Sequence, residues 1–281
     1  MRLRLDLAYD GTDFHGWATQ PGLRTVQGVV QEALCRVLRV EHLPVTCAGR
    51  TDTGVHARGQ VVHLDVAADL LRAGAGRSTA PPVEALVSRL NGVLPPDVRV
   101  RLGREAPDGF DARFSAVWRR YAYRIADDTA SVDPLVRRWV LTRRRPLDLE
   151  AMNEGARRLV GEHDFAAFCK RREGATTIRT LLDLHWTRDA TGVAVAEVRA
   201  DAFCHHMVRS LVGCLCVVGG GARPPEWAGE VLRRRMRDAA VSVVPAHGLT
   251  LEEVAYPADP DLSRQAVASR RMRVPAESAD G

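Results

Sequence analysis

The sequence predicts an α+β fold, with helices packed on one face of a largely antiparallel sheet, and three observations carry it. The opening RLRLDLAY alternates apolar with polar residues, the period of a half-buried strand. The segment TVQGVVQEALCRVLRV instead repeats its apolar residues with the period of a helix. Over the first hundred residues the elements run β, α, β, β, α, β, an order that suits helices laid on antiparallel strands.

Leu3, Leu5 and Leu7 define the first strand, residues 2–9. The helix after it places Val26, Val29, Val30, Ala33, Leu34, Val37 and Leu38 on one stripe, and Thr25 is its capping residue. Strands are expected over 45–48 and 60–65, then a flexible loop over 70–82 rich in Gly, Ala, Ser and Pro. A second helix, VEALVSRLNGVL, stops at Pro95 and Pro96, and DVRVRLG is a fourth strand.

The second half reads as a decorated version of the same plan. SAVWRRYAYRI alternates like a strand, a helix starts at about Asp148 and runs on toward EHDF, and residues 177–189 and 192–200 are two strands joined by a turn. HHMVRSLVGCLCVVG is a strongly apolar helix with Met207, Val208, Leu211, Val212 and Leu215 inward. A polar helix, EWAGEVLRRRMRD, and a last strand, GLTLEEVAY, complete the pattern. The expected organisation is an N-terminal α+β domain over 1–104, a C-terminal one over 105–257, and a disordered tail over 258–281.

Between two apolar runs lies GRTDTGVHARGQ, residues 49–60, a loop rich in Gly and Thr around one carboxylate. Asp52 is the only acid between Glu41 and Asp65. Two readings stand for it: an Asx-turn that satisfies its own loop, or the acid of a chemical site.

Composition narrows the function. No apolar run is long enough for a membrane helix, and MRLRLDLAYDG lacks the apolar block of a signal peptide, so a cytoplasmic protein is expected. The six cysteines form no CxxC pair and read as small buried hydrophobes in a reducing compartment. The net charge of +5 and a single lysine, Lys170, mean that nearly all cations are guanidinium groups, suited to phosphates and to stacking on bases. His205 and His206 are adjacent and cannot share a metal as an i, i+4 pair does, and no other histidine shows ligand spacing, so no metal site is expected. Glycine-rich nucleotide loops and a GxSxG elbow are absent.

Two further side chains have two readings each. Arg209 lies on the apolar helix, where a charge either faces solvent or meets a carboxylate such as Asp52. Tyr121 shares a strand face with Tyr123 and Arg119, the pattern of ordinary packing or of a stacking platform for an unpaired base.

Taken together, the motifs resemble the TruA family of tRNA pseudouridine synthases. The matching blocks are YDGTDFHGW, TVQGVVQEAL, AGRTDTGVHARGQVVH, FDARFSAVWRRYAYRI, GEHDFAAFC, FCHHMVRSLVGCL and HGLTLEEVAYP, in that order between Tyr9 and Pro257. The resemblance implies two ferredoxin-like or RRM-like α+β halves forming one pseudouridine-synthase fold, with a mixed, mainly antiparallel central sheet and an active-site cleft between the halves. It implies conversion of uridine to pseudouridine at positions 38, 39 and 40 of the tRNA anticodon stem-loop, without cofactor or metal, by a homodimer. By the same resemblance Asp52 is the catalytic aspartate, Tyr121 stacks on the target base, and Arg209 is the basic partner of the aspartate. Arg50 then enters the stem-loop as the base leaves it, and Leu249 lines the uracil pocket. Two positions depart from the family pattern: Ala18 replaces a common glutamine, and Thr53 a common alanine beside Asp52.

Two rival readings remain: a non-catalytic RNA-binding module that grips stem-loops, and a metal-dependent hydrolase built on the histidines. The first leaves unexplained why a loop meant for a polyanion would carry a carboxylate.

Overall fold

In a computed structural model of the chain, which describes residues 1–76, 78–170 and 176–270, the leucine alternation becomes strand β1 (Arg2–Tyr9). Leu3, Leu5 and Leu7 are fully buried, each worth roughly 1.5–3 kcal/mol relative to exposure. Helix α1 (Val26–Leu38) is capped by the Thr25 hydroxyl, which accepts from the Gly28 N–H at 3.3 Å. Its buried stripe is the expected one except for Val29, which is half-buried. Strand β2 (Thr46–Cys47) pairs with β3 (His56–Asp65), and β3 runs antiparallel to β1.

The segment expected as a loop after β3 contains helix α2 (Ala68–Ala75). Its glycines conceal it in the sequence: a Cβ on Gly74 would come within 2.6 Å of the Leu38 side chain, so the glycine serves close helix packing rather than a turn. Arg77, within the same expected loop, lies outside the described residues. Helix α3 (Pro82–Val93), with proline in its first turn, leads to β4 (Val98–Glu105), which pairs antiparallel with the other edge of β1.

The described residues divide into two compact units, Met1–Val117 with Thr250–Arg270, and Trp118–Leu249. In the second unit β5 (Trp118–Ala126) is bordered by the short parallel β6 (Leu141–Thr142). Helix α4 (Leu149–Arg157) starts where the Asp148 carboxylate accepts from the Ala151 N–H at 3.0 Å. It ends earlier than its sequence pattern suggests, because the chain turns at Gly161 (φ +121°) into β7 (Gly161–Asp164). Strands β8 (Ile178–Arg188) and β9 (Ala194–Ala200) follow, giving the antiparallel order β5-β9-β8-β7. Helix α5 (Met207–Gly219) is buried nearly all round, with all five predicted inward residues in the core, and α6 (Glu226–Arg234) ends at Arg235 in the left-handed conformation.

The chain then returns. Strand β10 (Leu249–Ala255) lies parallel to β3, with Thr250 opposite His56, so the first unit orders its strands β4-β1-β3-β10. Part of the expected tail is ordered: helix α7 (Leu262–Arg270) buries Leu262 and Ala266, four residues apart, and the Leu262 carbonyl accepts from the Ser115 hydroxyl at 3.2 Å. Residues 271–281 of that tail lie outside the described residues. The α+β expectation holds in both units.

One cysteine expectation fails. Cys169 and Cys204 are joined as a disulfide with their Cα atoms 5.7 Å apart, a normal separation for such a bond. Their 35-residue sequence separation matches no motif, and the β8–β9 hairpin between them is what closes the gap. Cys47, Cys214 and Cys216 are buried free thiols as expected, with burial pushing Cys47 and Cys214 up to about 12 and Cys216 to about 11, while Cys35 is only half-buried.

Candidate active site

The loop between β2 and β3 carries Arg50 and Asp52 in the first unit. A turn forms at Asp52, whose carbonyl accepts from the Val55 N–H at 3.1 Å, and Gly54 supplies the positive φ (+77°) that its third position needs. Strand β3 begins at His56, earlier than the sequence pattern indicates. Of the three loop glycines, Gly59 thereby falls inside a strand and lets the Glu252 backbone come close.

A second loop, residues 10–24, grips the first. The Trp17 N–H donates to the Thr51 carbonyl at 3.0 Å, and the Gly54 N–H to the Phe14 carbonyl at 3.3 Å. Phe14 and Trp17 are buried, so this loop is anchored by its aromatic residues. Gly16 has φ +83°, and a Cβ there would lie 2.9 Å from the Thr51 carbonyl oxygen. His56 is buried and its Nδ1 accepts from the Gly11 N–H at 3.0 Å, with the Asp10 carboxylate 3.1 Å from the same nitrogen. The Asp52 side chain is half-buried at the loop apex, while Arg50 and Thr53 are exposed.

The second unit carries the other three candidates. Tyr121 on β5 is 7% exposed, and Phe203 meets its ring edge-on with centroids 5.1 Å apart. The Phe203 segment is fixed by Asp201, whose carboxylate accepts from the Thr180 N–H at 3.1 Å and the Ala202 N–H at 2.6 Å. Tyr123, on the same strand face, has a different role. It is fully buried, its hydroxyl donates to the Pro245 carbonyl at 2.8 Å, and burial pushes its pKa up.

Arg209 on α5 is half-buried, and its Nε donates to the Val244 carbonyl at 2.7 Å. Neither sequence reading foresaw this backbone anchor. Leu249, 5% exposed, follows Gly248, where a Cβ would press to 2.6 Å from the Tyr123 ring. Sequence reasoning missed Phe203, Val244 and the buried polar residues Tyr9 and Gln60. Its place as the first residue of the FCHHMVR block is the one signal that pointed toward Phe203.

One acid at the tip of a doubly held loop suits nucleophilic or general-base work. In the second unit, taken by itself, an aromatic face squared by a second ring suits stacking on a flat, polar group.

Comparison with known proteins agrees. The family model for tRNA pseudouridine synthase matches residues 7–115 and 156–257. The protein named tRNA pseudouridine synthase A of Streptomyces avermitilis is 58% identical over 276 residues, spanning 97% of this chain and 94% of its own. Its namesake in Streptomyces griseus subsp. griseus is 57% identical over 97% of this chain and 94% of its own, and that of Frankia casuarinae 56% over 98% and 96%. No described helix is long and apolar enough to cross a membrane. With the family model covering most of the sequence and these relatives matched nearly end to end, the chain belongs to the tRNA pseudouridine synthase family.

Proposed function

We propose that this chain isomerises uridine to pseudouridine at positions 38, 39 and 40 of the tRNA anticodon stem-loop, using the Asp52 carboxylate and no cofactor. The observation that carries the reading is the Asp52 loop, held by two backbone hydrogen bonds exchanged with the 10–24 loop within a chain of this family.

The reaction sets the requirements. The bond from ring nitrogen to sugar breaks, the uracil turns, and a new bond forms through ring carbon 5. One ionised carboxylate suffices, by attack on the anomeric carbon, by attack on the ring, or by assisting elimination to a glycal. The freed base must stay out of bulk water until it re-bonds. Tyr121 is its stacking platform, and the edge-on Phe203 ring limits how that platform can rotate. Leu249 contributes apolar surface to the uracil, and Arg209 is the cation of the site. A paired base must first leave its stack at a cost of a few kcal/mol, and Arg50, exposed on the loop, fills the gap. Recognition rests on RNA shape and phosphates, in keeping with a guanidinium-rich chain of net charge +5. The working form in this reading is a cytoplasmic homodimer.

The test is incubation of the purified protein with bulk tRNA tritiated at uracil carbon 5. Tritium release with new pseudouridine confined to positions 38 to 40 is expected. Tight tRNA binding without release would support the non-catalytic binding module instead.

A further inference from the structure

Three buried side chains, Thr51 and Gln60 of the 49–60 segment and Tyr9 at the end of β1, meet beside the Asp52 loop. Gln60, wholly inaccessible on β3, donates through Nε2 to the Gly49 carbonyl at 2.7 Å and to the Tyr9 hydroxyl at 3.3 Å. Its Oε1 accepts from the Val61 N–H at 3.2 Å, which fixes which end of the amide is which. The Tyr9 hydroxyl lies 2.7 Å from Thr51 Oγ1. Since the amide nitrogen can only donate, Tyr9 accepts from Gln60, and either hydroxyl can donate in its bond with Thr51. Thr51, 6% exposed, immediately precedes Asp52.

We propose that Tyr9, Thr51 and Gln60 are positioning residues for the reaction: a buried chain of hydrogen bonds that fixes the backbone entering Asp52 and so the reach of its carboxylate. The inference rests on the reading of Asp52 as the catalytic acid. The chain clasps the loop at Gly49 and again at Thr51, so the backbone of Arg50 between the two clasps and of Asp52 after them is held while the exposed Arg50 side chain stays free to reach outward. Buried polar networks of this kind are costly to half-break, and displacement of a reacting group by about 1 Å is enough to cost roughly 100-fold in rate.

The test uses the full-length protein with the variants Thr51→Val, Thr51→Ser, Tyr9→Phe and Asp52→Asn. For each, single-turnover tritium release at saturating tRNA is measured alongside tRNA affinity and melting temperature. Thr51→Val, which keeps the shape and loses the hydroxyl, is expected to slow turnover by about 10- to 100-fold with affinity within about twofold of wild type. Thr51→Ser restores the hydroxyl and the rate. Tyr9→Phe slows turnover similarly, and adding it to Thr51→Val costs little more, because both break one chain. Should Thr51→Val prove too unstable, Tyr9→Phe carries the same comparison. Wild-type turnover in either hydroxyl-less variant, or equal losses in Thr51→Val and Thr51→Ser, would overturn the positioning role. Turnover retained by Asp52→Asn would instead remove the catalytic reading beneath it, a separate result.

Discussion

The Trp17 N–H donates to the Thr51 carbonyl at 3.0 Å, and through that bond the loop after β1 holds the loop that carries Asp52. Gly16 makes the approach possible, since its φ of +83° and missing side chain bring the two backbones together.

Gly16→Ala is therefore expected to be damaging out of proportion to its size. A left-handed alanine with its methyl against the Thr51 carbonyl costs about 1–3 kcal/mol, paid either as lost stability or as displacement of the Asp52 loop. Urea unfolding together with turnover would register the loss, and a variant unchanged in both would show that the loop contact is dispensable.

His63 supplies a pH dependence. It is buried on β3, and its Nδ1 accepts from the Ala112 N–H at 3.0 Å, so the folded protein holds it neutral. Burial, aided by the neighbouring Arg2, lowers its pKa below the ordinary histidine value. The unfolded chain then binds the proton more readily. The stabilisation is complete above about pH 6.5 and is lost as the pH falls from there through the lowered folded value. Urea midpoints measured from pH 8 to pH 5 should decline below pH 6.5, and His63→Gln should flatten the decline. A variant that keeps the full wild-type slope would assign the effect to other groups.

The cysteines give a count. With one disulfide and four free thiols, denatured but unreduced protein should titrate four thiols, rising to six after reduction. Six before reduction would mean that the Cys169–Cys204 bond is not formed in solution.

Elements with clean periodicity were legible in the sequence. The leucines of β1, the Thr25 cap of α1 and the apolar run of α5 each fix an element by local physics alone. Helix α2 was hidden because Gly74 and its small neighbours serve packing against α1, and composition alone cannot separate that from a loop. The Asp52 loop stood out through its glycines and threonines. Its support did not, because Tyr9 and Gln60 belong to no motif within their own strands, and only the β1–β3 register brings them together. Likewise the Val244 anchor of Arg209 spans 35 residues and depends on the segment after α6, which carries no periodic signal.

Tyr121 and Tyr123 look alike in the sequence and separate in the structure. Tyr123→Phe loses the bond to Pro245 and should cost about 1 kcal/mol of stability with little effect on turnover. Tyr121→Phe keeps the ring against Phe203, so an unchanged single-turnover rate would make Tyr121 a platform only, and a large fall would assign its hydroxyl a proton transfer.

The most direct measurement is single-turnover tritium release by Asp52→Asn, an exchange that keeps the side-chain shape and removes the charge. No release above background, with tRNA affinity within a few fold of wild type, is the predicted result. Release near the wild-type rate would contradict the central claim that the carboxylate of residue 52 carries the chemistry.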